Sequence, residues 1–66
     1  MINELDLHGI RHEEVDRLVE NFVLLHETPM RIITGNSDTM RELVIKVLDK
    51  HDIKYQRFVP SHITIL

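Results

Sequence analysis

An aspartate and a histidine lie two residues apart near the start of the chain, within the stretch Leu5-Asp6-Leu7-His8-Gly9. The alternating leucines predict a strand with one apolar face, so Asp6 and His8 share the opposite face. A carboxylate placed there orients an imidazole or stabilises its charged form. The imidazole can then serve as general base or acid on a ribose hydroxyl or a water. The alternative is a surface aspartate beside a histidine that hydrogen-bonds the following loop.

A second candidate site is the stretch Thr34-Gly35-Asn36-Ser37, which links an apolar segment to an amphipathic one. Where a parallel strand ends and a helix begins, free backbone N–H groups suit a phosphate. Gly35 permits close backbone approach, and Asn36 tolerates a left-handed conformation. The alternative is a tight turn capped by Ser37 or Asp38, needing no ligand. The stretch is not a P-loop, because the lysine and the full glycine spacing are missing.

Two arginines and a tyrosine are candidates for contacts on the same exposed side of the predicted strands. Arg31 precedes Ile33 by two residues on the second strand, and Arg57 is in register with Tyr55 on the third. The arginines are expected to give this face positive charge, and the tyrosine could stack on a base. A single tyrosine is weaker support than the several aromatic residues of a stacking platform.

The histidines raise the question of a metal site. His8 and His12 are four residues apart, but Gly9 and Ile10 form a turn between them, so helical i,i+4 geometry does not apply. The chain has no HExxH motif and no evident carboxylate cage. We therefore predict no cofactor; a divalent metal, if one binds, would use Asp6 and His8 with a bridging water.

The elements that must position these residues follow from the spacing of the apolar side chains. The predicted strands are Asn3–Leu7, Met30–Thr34, Lys54–Val59 and His62–Leu66, and the predicted helices run from about His12 to the Thr28-Pro29 pair and from Thr39 to His51. Ser37, Asp38 or Thr39 caps the second helix, and Thr39 with Glu42 fits a capping box. The helix between the first two strands predicts that these strands are parallel.

This order predicts an α/β two-layer sandwich, βαβαββ, with a mixed four-stranded sheet. Two helices can cover only one face of such a sheet, so the other face stays open, with Asp6 projecting from it and His8 near the strand's end. The chain has 66 residues, which predicts one domain spanning 1–66. It has no cysteine, so packing alone must hold the fold.

The overall charge and the distribution of apolar residues limit the classes of function that fit the chain. The formal net charge of -3 argues mildly against a protein that lives by non-specific phosphate attraction, although it leaves a local basic face open. No apolar run reaches the roughly 20 residues of a membrane span. The first residues also lack the pattern of a signal peptide. We therefore expect a cytoplasmic protein with no membrane partner.

The two motifs together resemble those of the small MutS-related (Smr) domain family. The family's leucine-aspartate-leucine-histidine-glycine motif is complete at residues 5–9, and Glu14-Val15 lie near its usual glutamate-alanine pair. Its threonine-glycine-x-glycine motif is partial here, because Ser37 stands where the second glycine is expected. Order and spacing match along essentially the whole chain. The family's loop after this motif is usually longer and more basic, and Ser61-His62 replace a glycine before the last strand.

The resemblance implies a sandwich similar to the C-terminal domain of bacterial translation initiation factor 3. It also implies nucleic-acid binding and, in several members, endonuclease activity on branched DNA or on RNA. RNA is slightly favoured as the partner over DNA, because its 2′-hydroxyl is an internal nucleophile that needs no metal.

The expected catalytic pair is Asp6 and His8. The residues expected to contact nucleic acid are Gly9, Arg31, Thr34, Gly35, Asn36, Ser37 and Arg57. The alternative from another class is a non-catalytic adaptor, whose exposed strand edge and thin core serve protein contacts or self-association. The acidic balance and the shortened loop favour that alternative. The oligomeric state is left open.

Overall fold

The strands and helices follow one another along the chain in the predicted order, βαβαββ. The computed structural model describes residues 2–59 and 61–66, and for residues 57–59 it describes the backbone alone. The elements are β1 (Asn3–Asp6), α1 (His12–Leu25), β2 (Met30–Ile33), α2 (Asp38–Lys50), β3 (Gln56–Val59) and β4 (His62–Ile65). Their bounds lie close to the predicted ones; β3 begins at Gln56 rather than at Lys54.

The strands form a mixed sheet. β1 runs parallel to β2, as the intervening helix predicts, and β2 runs antiparallel to β4. β3 lies beside β4, where Gln56 pairs with Thr64 and Val59 with His62, and the register shifts between these two pairs. The strand order is therefore β1-β2-β4-β3. The predicted α/β class, with two helices and a mixed sheet, is confirmed.

One face of the sheet forms the core together with both helices. Alternate residues of the strands point to this face, so that Leu5, Ile32 and Ile63 lie in one row across it. The helices add the stripes that their spacing predicts, although Leu18 and Leu43 are only half-buried. The buried apolar side chains are Leu7, Val15, Val19, Phe22, Val23, Met30, Ile32, Met40, Val44, Val47, Leu48, Ile63 and Ile65.

The opposite face of the sheet is polar. We call it the open face; by alternation and register it carries Glu4, Asp6, Arg31, Ile33, Gln56, His62 and Thr64. These side chains range from half-buried to exposed. Since the carboxyl ends of β1 and β2 meet the start of β4, the residues that follow or precede these ends lie at one edge of the open face.

Neither helix in residues 2–59 and 61–66 is long and apolar enough to cross a bilayer.

Candidate functional site

Asp6 ends β1, and its carboxylate binds His8 in two ways. Asp6 Oδ1 accepts the backbone N–H of His8 at 2.9 Å and lies 2.7 Å from His8 Nδ1. The hydrogen bond from the His8 backbone, and after it the bond from the ring, lowers the pKa of the Asp6 carboxyl below its ordinary value. An ionised carboxylate holds the proton of a neutral imidazole on Nδ1, so His8 Nε2 is the nitrogen left to accept a proton.

A tight turn leads the chain from this pair into α1. The N–H of Ile10 donates to the carbonyl of Leu7 at 3.1 Å, which closes the turn around His8 and Gly9. Gly9 has a φ of +75°, the left-handed value that a type II turn requires at its third position. Gly9 is exposed and adjoins His8. Its position fits the predicted contact, and its backbone conformation alone accounts for a glycine there.

The second motif meets the first at Gly35. A Cβ placed on Gly35 would lie 3.0 Å from His8 Nε2 and 3.4 Å from His8 Cδ2, so the imidazole lies directly over this glycine. Gly35 also has a φ of +68°. Position 35 therefore requires glycine for two reasons: the backbone has a positive φ, and a Cβ would crowd the His8 ring. The structure brings Asp6, His8 and Gly35 to one exposed spot at the edge of the open face.

Thr34 is a structural residue and not an open phosphate contact. The N–H groups of Thr34 and Gly35 donate to the carbonyl of Ser61 at 2.9 and 3.0 Å. The Thr34 hydroxyl donates towards the carbonyls of Gly35, at 3.1 Å, and Ser61, at 3.3 Å, and the residue is 5% exposed. The expectation that these N–H groups are free for a phosphate is wrong. They tie the end of β2 to the residue before β4.

Asn36 and Ser37 complete the turn before α2. Asn36 is exposed. Ser37 is the N-cap of α2, and its Oγ accepts the N–H of Met40 at 3.1 Å. The capping box of Thr39 and Glu42 is therefore wrong, and the serine that replaces the motif's second glycine has a structural reason to be there. The Ser37 side chain is already engaged within the protein.

Arg41 was not among the predicted site residues, yet it lies beside the turn. Its guanidinium pairs with Asp38 one helical turn earlier, and its Nη1 lies 3.5 Å from the carbonyl oxygen of Gly35. The side chain is 18% exposed. The spacing from Asp38 could have suggested the ion pair. The approach to Gly35 depends on how α2 follows the turn, which the sequence does not show.

Arg31 gives the open face less free positive charge than expected. Arg31 stands opposite Glu4, and its Nη1 lies 3.2 Å from Glu4 Oε2. Arg31 Nε is buried and has no hydrogen-bond partner among the described residues. The side chain of Arg57 lies outside the described part of the chain. Tyr55 packs against the core, so the expectation that it stacks on a base is not supported.

His62 is a further imidazole on the open face. It is half-buried and stands directly opposite Ile33, immediately after Ser61. The sequence places it at the start of a strand, but only the register of β4 on β2 shows that it lies at the same edge as His8 and Gly35.

Within residues 2–59 and 61–66, no group of three or more metal-ligating side chains is placed to hold an ion. A metal held by Asp6 and His8 would have to take its other ligands from water or from a substrate.

These features define a small α/β domain with an exposed aspartate-histidine pair at one edge of an open sheet face. Comparisons of the chain with protein-family models, curated proteins and solved structures find no match. The resemblance to the Smr family therefore depends on the two motifs and their position in the fold.

Proposed function

We propose that this chain is an Smr-like nucleic-acid-binding domain that contacts its partner at the edge of the open face and cleaves it through Asp6 and His8. The observation that supports this most is the contact between the two motifs. The His8 ring lies over Gly35, although His8 follows β1, Gly35 follows β2, and the two residues are far apart in sequence. Because Gly35 has no side chain, the His8 ring can lie over the turn, where the exposed imidazole and its carboxylate partner are open to a polynucleotide.

The proposed architecture is the complete βαβαββ sandwich, similar to the C-terminal domain of translation initiation factor 3. The pairing of β3 with β4 at two positions supports a fourth strand in this sheet. In such a sandwich both helices lie on the side away from the nucleic acid.

The proposed chemistry is proton transfer by His8. Asp6 holds Nδ1, so Nε2 can take the proton of a ribose 2′-hydroxyl, which then attacks the adjacent phosphorus. This route needs no metal and favours RNA over DNA. Thr34, Gly35 and Ser37 shape the turn, whereas Gly9 and Asn36 are the motif residues left to contact the backbone of the nucleic acid.

Binding should be measured first, with fluorescent RNA and DNA oligonucleotides over a range of salt. Phosphate contacts predict that affinity falls as salt rises. His8→Gln and Gly35→Ala should weaken binding, whereas His26→Gln, at the opposite end of α1, should not. Wild-type affinity in both site variants would contradict the proposed site, as would amide shifts in NMR confined to the helices.

Cleavage is tested with structured RNA and branched DNA, each with and without divalent metal. We expect products from wild type and their loss in His8→Ala. If wild type and His8→Ala leave every substrate equally intact, the nuclease function is wrong, and binding is judged by the salt titration alone.

A non-catalytic adaptor is the second candidate, and exposed apolar side chains favour it. Leu24, Leu25 and Leu66 are 65%, 78% and 70% exposed. The ion pair between Arg31 and Glu4 also reduces the attraction of the open face for phosphate. An adaptor would bind a protein, or a second copy of itself, with little dependence on salt, and sedimentation at rising concentration would detect self-association.

A further inference from the structure

We propose that His62 is a second catalytic residue, the general acid that protonates the leaving oxygen while His8 acts as base. This inference rests on the proposed function, and it names RNA as the substrate. It also explains how a site with one exposed carboxylate could cleave a phosphodiester without a metal.

The placement of His62 follows from the register of the sheet. His62 stands opposite Ile33 on the antiparallel pair of β2 and β4. Asp6 stands opposite Ile33 on the other side, so Asp6, Ile33 and His62 form one row across the open face, with Asp6 and His62 two strand spacings, or roughly 10 Å, apart. Because the His8 ring lies over Gly35, its Nε2 lies on the side of β1 towards β4.

Both imidazoles face the same side of the sheet. Asp6, opposite Ile33, projects from the open face, and its carboxylate holds the His8 ring at Nδ1. His62, opposite Ile33, projects from the same face. A phosphodiester lying across the end of β2 would therefore have one imidazole on each side.

Structural roles account for two of the other histidines but not for His62. His26 Nδ1 lies 2.9 Å from the carbonyl of Phe22, and His51 Nε2 lies 3.2 Å from Glu20 Oε2. The ring of His62 makes no hydrogen bond or ion pair with the residues that the structure describes. It is half-buried, which limits the positions of the ring while leaving it open to a ligand.

The reaction balances without a co-reactant. His8 Nε2 takes the proton of the 2′-hydroxyl, and the resulting oxygen nucleophile forms a bond to the adjacent phosphorus. The bond between phosphorus and the 5′-oxygen breaks, and that oxygen takes a proton from the protonated ring of His62. The products are a 2′,3′-cyclic phosphate and a free 5′-hydroxyl, and two protons have moved, one from the substrate to His8 and one from His62 to the product.

The test compares two RNA substrates that differ in the leaving atom. One has an ordinary linkage, and the other has sulfur in place of the bridging 5′-oxygen, which leaves as a thiolate and needs no acid. We expect His62→Gln to cut the ordinary linkage about 10²-fold more slowly than wild type and the sulfur linkage at nearly the wild-type rate. His8→Gln should be slow on both linkages, and His26→Gln should match wild type on both.

A defect of equal size on both linkages in His62→Gln overturns the acid role, and so does wild-type cleavage of the ordinary linkage. If His62→Gln does not fold, the wild-type chain provides the test. The sulfur linkage is cut faster than the ordinary one without protein, and a general acid makes this rate difference smaller. A rate difference as large with wild type as without protein overturns the inference. Wild type that binds RNA without cutting it overturns the inference and leaves the binding function standing. Failure to bind overturns both.

Discussion

His8 occupies the space that a side chain at residue 35 would need. Its ring lies over Gly35, while its Nδ1 and its backbone N–H are both bound by Asp6. The imidazole is thus held on one side by a carboxylate and on the other by bare backbone, although 65% of its side chain is exposed. Order in an exposed histidine depends on these contacts rather than on burial.

Gly35→Ala and Gly9→Ala form a matched pair that separates the ring contact from the backbone cost. Both glycines have positive φ, so each change should destabilise the fold by about 1–2 kcal/mol. The added Cβ meets the His8 ring only at Gly35. We therefore expect large changes in the His8 ring signals by NMR in Gly35→Ala and small ones in Gly9→Ala. Equal changes in the two variants would contradict the observed contact.

The lowered pKa of Asp6 offers a second test at this scale. Because the backbone N–H of His8 is its largest cause and the ring the next, His8→Ala removes only the second. The Asp6 pKa in His8→Ala should rise above that of wild type yet stay below its ordinary value. The NMR shift of the Asp6 carboxyl carbon, followed during an acid titration, measures this pKa in wild type and in His8→Ala. An unchanged midpoint would mean that the ring contributes nothing.

The sequence predicts one half of the site better than the other. Asp6 and His8 come together because they are only two residues apart, and the Asp6 carboxylate bonds His8 within the turn that follows β1. The contacts of Thr34 and Arg31 could not be predicted in this way. Thr34 is bonded to Ser61 and Arg31 is paired with Glu4, and these partners are distant in sequence and come close only in the folded sheet. For the same reason, nothing in the sequence places His62 near His8.

At the scale of elements, the spacing of apolar residues predicts where the helices lie. It does not predict the residue at which each helix begins. Arg11 precedes α1, and its side chain makes no capping hydrogen bond. α2 is capped by Ser37, and of the three residues that the sequence left open, this is the one whose hydroxyl reaches the N–H of Met40. Cap choice depends on the backbone angles of the turn, so several neighbouring polar residues fit equally well beforehand.

Ser37→Ala and Thr39→Ala therefore distinguish the observed cap from the predicted capping box. Loss of the Ser37 hydroxyl should lower the free energy of unfolding by about 1 kcal/mol, because the N–H of Met40 loses its partner. Thr39 is exposed in the first turn, and its replacement by alanine, a stronger helix former, should cost nothing. Urea unfolding of both variants measures the difference, and a larger loss in Thr39→Ala would contradict the assigned cap.

At the scale of the whole molecule, charged side chains connect the two helices that cover the core. Glu20 on α1 lies 3.2 Å from His51 Nε2 and 3.5 Å from Lys50 Nζ at the end of α2. The hydrogen bond from His51, and next the charge of Lys50, lowers the pKa of Glu20. Together with Asp6, this gives the fold two carboxylates that are more acidic when it is folded than when it is unfolded.

These two carboxylates predict how stability depends on pH. A group with a lowered pKa stabilises the folded state above its ordinary pKa, and this contribution disappears as the pH falls through the folded value. The free energy of unfolding should therefore decrease on acidification below the ordinary pKa values of Glu20 and Asp6. Glu20→Gln should be less stable than wild type near pH 7, and it should lose less on acidification, because one of the two contributions is already absent.

Urea midpoints measured between neutral and acid pH test this dependence. Glu42→Gln is the control, since it removes the same charge from an exposed position on α2. The control should follow the wild-type acid profile, whereas Glu20→Gln should converge with wild type at low pH. Parallel curves for Glu20→Gln and wild type across the whole range would mean that the contact between the helices does not contribute to the acid sensitivity. Convergence would show that Glu20 links α1 to the end of α2 in solution.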